Sequence, residues 1–109
     1  MATYLVQVSY TPEALSALIA KPQNRTTVVK KSVENLGGTL IGSWMAFGDY
    51  DVVLLVEMPN NVSAAALAIA AAGGGSLKSI KTTPLLAADQ TLSALKKAGK
   101  SGYTPVSKK

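Results

Sequence analysis

The fold of this chain is decided by the stretch TLIGSWMAFGDYDVVLLVEM, residues 39–58. Two runs within it, 39–47 and 51–58, are rich in β-branched, aromatic and aliphatic residues, which is typical of strands. Only Gly48, Asp49 and Tyr50 separate the runs, and a short connection containing glycine predicts a hairpin. The stretch therefore predicts two antiparallel strands that are neighbours in one sheet.

Helical and extended patterns alternate on both sides of this hairpin. Residues 3–10 alternate apolar and polar side chains as a half-buried strand does, and two helical stretches follow, the second beginning near Pro22. After the hairpin come an asparagine-capped, alanine-rich helix over about 62–72 and a last strand over 76–86 that Pro84 is expected to end. The order β-α-β-β-α-β, with a short appended helix, predicts an α+β ferredoxin-like domain. Its four-stranded antiparallel sheet carries helices on one face.

The hairpin strands are apolar on both sides, although helices on one face of a sheet require only one apolar side. Strict alternation places Leu40 and Trp44 on one side and Ile41, Met45 and Phe47 on the other. Burying some six such side chains would contribute roughly 9–18 kcal/mol at ~1.5–3 kcal/mol each, against a cost of association of about 4–15 kcal/mol. We therefore expect a homodimer or higher homo-oligomer, with two sheets packed face to face into a barrel.

Composition excludes several kinds of site. The chain has 109 residues, enough for one domain, and contains neither cysteine nor histidine. Zinc fingers, thiol redox chemistry and Ser-His-Asp or Cys-His catalysis each require cysteine or histidine and are therefore excluded. We expect no metal and no cofactor. The start lacks the features of a secretory signal, and the longest apolar segment, 64–72, is shorter than a bilayer span, so we expect a cytoplasmic protein.

The net charge of +5 is concentrated at the end of the chain. Residues 1–95 contain six basic and six acidic residues, and the remaining five lysines all lie in 96–109. This asymmetry predicts a neutral domain, 1–95, followed by a basic flexible tail, 96–109. We expect no specific nucleic-acid partner and no membrane, because the tail offers no aromatic platform for stacking bases.

Several spaced motifs agree with one known family. They are the opening strand ending in YTPE, LGGTLIGSW after the second helix, GDYDVVLLVEMP across the hairpin, and the alanine-rich helix followed by glycines and a threonine-bearing strand. Through them, over residues 3 to about 92, the chain resembles the GYD family, small bacterial and archaeal proteins named for a Gly-Tyr-Asp motif. The motif reads Gly48-Asp49-Tyr50-Asp51 here. The resemblance implies a ferredoxin-like fold of the dimeric α/β-barrel type and implies no particular reaction.

Four residues are candidates for a binding site: Trp44, Tyr50, Asp51 and Arg25. In one interpretation the stretch FGDYDVV only forms a turn, in which Gly48 permits the bend, Asp49 hydrogen-bonds its own backbone, Tyr50 covers an edge and Asp51 begins the strand. In the other, Tyr50 donates a hydrogen bond and Asp51 is a desolvated base at the mouth of a barrel cavity, with Trp44 as an apolar wall. Arg25, the sole arginine, lies at a predicted helix N-terminus, where it is either a surface charge or a clamp for a carboxylate or phosphate.

Two functions follow from these candidates. The first is an oligomerising module that binds a small molecule or a protein partner without catalysis. The alternative is a cofactor-independent enzyme of the dimeric-barrel kind, a monooxygenase, isomerase or cyclase, with Asp51 and Tyr50 as its catalytic acid-base pair.

Overall fold

The computed structural model describes residues 1–107, and its elements follow the predicted order. The strands are β1 (Ala2–Tyr10), β2 (Thr39–Met45), β3 (Val52–Met58) and β4 (Leu77–Leu85). The helices are α1 (Pro12–Ala20), α2 (Thr26–Asn35), α3 (Asn61–Gly73) and α4 (Ala88–Ala98). All neighbouring strands are antiparallel, in the order β2-β3-β1-β4. The predicted α+β ferredoxin-like arrangement is confirmed.

The hydrophobic core lies between the sheet and helices α2 and α3. Alternate residues of β1 and β3 pack there against one buried residue of α2 and two of α3. The buried members are Tyr4, Val6, Val8, Val33, Leu54, Val56, Met58, Ala64 and Leu67. We call this side of the sheet the helix face and the opposite side the open face.

Local hydrogen bonds explain where the helices begin. The side chain of Thr11 accepts the N–H of Ala14 and caps α1, and the side chain of Asn60 accepts the N–H of Ser63 and caps α3. The second helix begins at Thr26, four residues later than the sequence pattern indicated. Residues 21–25 instead form an irregular connection between α1 and α2.

The hairpin connection is longer than predicted. The strands end at Met45 and resume at Val52, so residues 46–51 form the connection rather than three residues alone. The N–H of Ala46 donates to the carbonyl oxygen of Asp51 at 2.8 Å and closes this loop. Within it, Gly48 has φ +156°, a backbone angle that side-chain-bearing residues rarely adopt.

A β-bulge in β2 corrects the predicted facing of its side chains. Leu40 pairs with Val56, but the next pair is Gly42 with Leu55, so one extra residue, Ile41, interrupts the alternation. Leu40 therefore shares the helix face with Val56, whereas Trp44 lies on the open face. The prediction that Leu40 and Trp44 share a side was wrong because strict alternation ignored the bulge.

The last strand, β4, lies at one edge of the sheet and β2 at the other. Pro84 lies inside β4, opposite Tyr4, rather than at its end. An edge strand tolerates proline because one side of it has no partner strand that needs the N–H.

The C-terminal helix α4 projects from the domain. Each described residue from Pro84 onward is exposed, so α4 covers neither face of its own sheet. The Cα radius of gyration is 17.5 Å, larger than the roughly 13 Å of a compact domain of this length. Lys96 and Lys97, the first lysines of the predicted tail, belong to α4, and Lys108 and Lys109 lie outside the described residues.

Within residues 1–107, no helix combines the length and apolar character that crossing a membrane requires.

Candidate ligand-binding groove

A groove enters the domain on the helix face, between the sheet and the α1–α2 segment. Its inner part has a volume of about 490 Å³, within the range of about 300–1,000 Å³ that is usual for small-molecule sites. The inner walls are mostly apolar and come from three sheet strands and three helices, and their polar members are Tyr10, Gln23, Arg25, Ser32 and Ser76. The apolar members include Val6, Val8, Ala17, Leu18, Val29, Leu54, Leu67, Ala71, Leu77 and Ile80.

An outer part of about 410 Å³ continues the groove toward the hairpin. The two parts share Tyr10, Leu18, Gln23, Arg25, Val29 and Val52. The outer part adds polar residues from the start of α2 and from the end of the hairpin, namely Asn24, Thr26, Ser43 and Asp51. The groove therefore has an apolar interior and a polar mouth.

The start of α2 presents Arg25 to this mouth. Asn24 accepts the N–H of Thr26 through Oδ1 at 2.9 Å, so the helix terminus is stabilised without the side chain of Arg25. The guanidinium makes one exposed contact, from Nη1 to Oε1 of Gln23 at 3.5 Å. Both Arg25 and the positive end of the helix dipole favour a negatively charged group at this point.

The hairpin places Asp51 at the mouth through hydrogen bonds to β1. The N–H of Asp51 donates to the carbonyl oxygen of Val8 at 2.7 Å, and its Oδ2 accepts the N–H of Tyr10 at 2.8 Å. The hydroxyl of Ser9 donates to the carbonyl oxygen of Asp49 at 2.9 Å. Asp51 therefore holds the loop against β1 and also lines the groove. The turn interpretation had given the backbone hydrogen bond to the side chain of Asp49 instead.

The structure brings three of the four candidate residues together. Arg25, Trp44 and Asp51 line the outer part of the groove, and Tyr50 lines neither part. The indole of Trp44 packs over Gly42 on the open face, where an added Cβ would collide with the ring, so Trp44 reaches the groove only at the edge of β2. This groove lies on the helix face of one chain, whereas the functional interpretation of the sequence concerned the mouth of a barrel cavity.

Tyr10 and Gln23 were not identified from the sequence. Tyr10 continues the alternation of Tyr4, Val6 and Val8, so its orientation toward the helices could have been inferred. Gln23 carried no comparable signal, because it belongs to the irregular connection between α1 and α2.

The groove is suited to binding more than to a definite reaction. Its inner walls offer no carboxylate, and in the outer part Asp51 is the one carboxylate among the lining residues. Nowhere in residues 1–107 do three carboxylate, imidazole or thiol side chains group closely enough to hold a metal ion. The groove can bury an apolar group in its inner part and bind an anionic group at its mouth.

A four-stranded antiparallel sheet, helices on one face and a groove between the two layers define a ferredoxin-like α+β domain with a potential ligand site. The chain belongs to the GYD domain family, whose model matches residues 4–95. A comparison with curated proteins found no match to the chain.

Proposed function

We propose that this chain is a homodimeric module that binds a small amphipathic molecule with an apolar body and an anionic head. The observation that carries this proposal is the continuous groove with apolar walls and Arg25 at its mouth. A hydrocarbon or aromatic body would leave water for the inner part, a transfer worth about 25 cal/mol per Å² of apolar area. A carboxylate head would remain at the mouth, against the guanidinium and the start of α2.

The dimer rests on the composition of the open face. Leu5, Val53 and Leu55 form its centre, and Trp44 and Leu85 flank them. No helix among the described residues covers this surface, because α2 and α3 pack on the other side and α4 is exposed. Glu57 and Lys81 are the charged residues on the open face, so two copies would meet without net repulsion.

Binding receives more support than the alternative of a cofactor-independent enzyme. That alternative needs Tyr50 and Asp51 to act on one substrate, and Tyr50 does not line the groove. Asp51 also has one carboxylate oxygen engaged by the N–H of Tyr10. The absence of cysteine from the chain is compatible with the cytoplasm as the proposed location.

The ligand proposal is tested with a matched pair of probes, decanoate and decanol, which share an apolar chain and differ in the head group. Isothermal titration calorimetry of the parent chain should give a dissociation constant for decanoate roughly tenfold lower than that for decanol, a difference of about 1.4 kcal/mol. The variant Arg25→Gln should bind both probes equally. The control Lys21→Gln removes a nearby exposed charge that does not line the groove, and should keep the preference.

Two results would overturn the ligand proposal. One is a parent chain that binds neither probe at millimolar concentration. The other is a preference for decanoate that survives in Arg25→Gln.

The dimer is tested separately by light scattering and sedimentation. Leu55→Lys introduces a charge at the centre of the open face and should yield a monomer. Ile69→Lys makes the same kind of change on the exposed side of α3 and should leave the dimer intact. A parent chain that is monomeric at 100 μM would disprove the dimer and leave the ligand proposal standing.

A further inference from the structure

The helix α4 is amphipathic, and its apolar side is exposed rather than packed against another part of residues 1–107. Ala88, Leu92 and Leu95 fall on one side of the helix, and Asp89, Ser93 and Lys97 fall on the other. Leu92 is 55% exposed and Leu95 is 65% exposed. An apolar stripe of this kind normally packs on a partner surface.

Exposed apolar side chains also lie around the opposite edge of the sheet, with Trp44 on the open face and Met45 on the helix face of β2. Along β2 and the start of the hairpin loop, Ile41, Trp44, Met45 and Phe47 are exposed, and Met45 and Phe47 are 83% and 96% exposed. We call these four residues the β2 strip. The helix α4 follows β4, so β3 and β1 separate it from the strip of its own chain.

Charge makes the two surfaces complementary. Residues 39–58 contain Asp49, Asp51 and Glu57 and no basic residue. The end of α4 and the residues just after it contain Lys96, Lys97 and Lys100. A basic helix end therefore has an acidic hairpin as its natural counterpart.

Symmetry and charge together favour one of two possible orientations of the two-fold axis in a face-to-face dimer. When two sheets pack face to face, a two-fold axis along the strands places β4 of each copy over β2 of the other. An axis across the strands would instead place β4 over β4, bringing the open-face Lys81 of one copy near the same lysine of the other. The first arrangement avoids this repulsion and brings α4 of each copy to the β2 strip of its partner.

We propose that α4 is an exchanged arm, whose apolar side packs along the β2 strip of a second copy of this chain. The helix is short enough to fit along the strand, since eleven helical residues span about 16 Å and the seven residues of β2 span about 23 Å. In this arrangement β4 ends beside the start of the partner's β2, so an α4 packed along that strand would run from there toward the partner's hairpin. Its lysines then lie close to the partner's hairpin carboxylates.

The arm also completes the groove, and this part rests on the proposed dimer. Trp44 and Met45 belong both to the β2 strip and to the outer part of the groove. An α4 helix from the second copy would therefore cover the mouth where Arg25 and Asp51 lie. Each groove would be walled by one chain and closed by the other.

Cysteine cross-linking tests the contact directly, because the parent chain contains no cysteine. Leu95→Cys chains are mixed with Met45→Cys chains, oxidised and analysed by mass spectrometry of the linked peptides. We expect the 95–45 disulfide to form at least tenfold faster than the 93–45 disulfide from Ser93→Cys chains, since Ser93 lies on the polar side of α4. Equal rates for the two pairs would overturn the arm.

A second measurement separates the arm from the dimer itself. The double variant Leu92→Asp, Leu95→Asp should raise the dimer dissociation constant at least tenfold in sedimentation equilibrium. The control Gln90→Asp, Ser93→Asp adds the same charge on the other side of α4 and should leave that constant within threefold of the parent. The four substituted residues are exposed in the single chain, so both double variants should keep the fold of the domain.

The possible outcomes are distinct. A parent that dimerises, together with a Leu92→Asp, Leu95→Asp variant that dimerises equally well, overturns the arm and leaves the open-face dimer standing. A monomeric parent overturns both proposals.

Discussion

The backbone N–H of Tyr10 donates a hydrogen bond to Oδ2 of Asp51 at 2.8 Å, across 41 positions of sequence. This bond fastens the hairpin to the end of β1 at the point where both residues line the groove. The last residue of the Gly-Asp-Tyr-Asp motif therefore has a structural role whether or not it also meets a ligand.

Replacing this carboxylate should destabilise the fold. Asp51→Ala leaves the partly buried N–H of Tyr10 without its acceptor, and hydrogen bonds to charged groups contribute about 1.5–3 kcal/mol. We expect a loss of that size in the free energy of unfolding, measured with urea. The control Asp49→Ala removes an exposed carboxylate two positions away and should change stability by less than about 0.5 kcal/mol. Equal effects of the two substitutions would contradict the role given to Asp51.

Gly48, the glycine of the same motif, is required because of its backbone angle and not because a side chain would collide with neighbouring atoms. Gly48→Ala forces a side chain onto φ +156°, although an added Cβ would meet nothing within 4 Å. We expect a cost of about 1–3 kcal/mol in the free energy of unfolding. Gly73→Ala provides the comparison, because Gly73 also has open space but no positive φ, and should be neutral or slightly stabilising. The strain argument fails if Gly48→Ala is as stable as the parent.

Filling the groove should weaken binding without harming the fold. Ala71 lines the inner part of the groove, whereas the neighbouring Ala72 is exposed and does not. Ala71→Leu should reduce affinity for decanoate at least tenfold in calorimetry, while Ala72→Leu should bind as the parent does. Unchanged binding by Ala71→Leu would place the ligand elsewhere.

The single tryptophan should report assembly. Trp44 is 56% exposed in the single chain and lies on the open face. If two copies bury that face, fluorescence emission should shift to shorter wavelength as the concentration of the chain rises, since the indole leaves water. The Leu55→Lys variant should show no such shift. Emission that is independent of concentration in a chain that does dimerise would exclude Trp44 from the interface.

A buried tyrosine hydroxyl links the sheet to α3. Tyr4 is 2% exposed, and its hydroxyl donates to Oδ1 of Asn61. Tyr4→Phe should cost about 0.5–1.5 kcal/mol of unfolding free energy. A double-mutant cycle with Asn61→Ala isolates the pair, and additive effects of the two substitutions would show that the bond contributes nothing.

Much of the fold was predictable because several independent signals agreed. Apolar alternation predicted β1, Thr11 and an asparagine predicted two helix caps, and the short hairpin connection predicted neighbouring strands. The facing of Trp44 was not predictable, because a bulge in β2 depends on pairing with β3 and leaves no mark in the local pattern. The late start of α2 was missed because Pro22 is compatible with a first helical turn, whereas the structure continues the connection as far as Arg25.

The candidate site was predictable in part. Arg25 and Asp51 are distant in sequence, yet chemical character alone identified both, and the structure places both at the groove mouth. The groove itself was not predictable, because it arises from the packing of the short helix α1, which has no buried residue, beside α2 and α3. Volumes between packed elements depend on tertiary arrangement and not on the properties of single residues.

Ile41 is the extra residue of the β-bulge in β2 and has no partner in β3. The next three residues, Gly42, Ser43 and Trp44, pair in order with Leu55, Leu54 and Val53. Losing Ile41 would join Leu40 directly to Gly42 in a regular ladder and leave each remaining side chain on its present face. A deletion at position 41 is therefore compatible with the pairing of β2 and β3, although it removes one apolar member of the β2 strip. A gap at position 41 in a related chain would not signal a change of architecture.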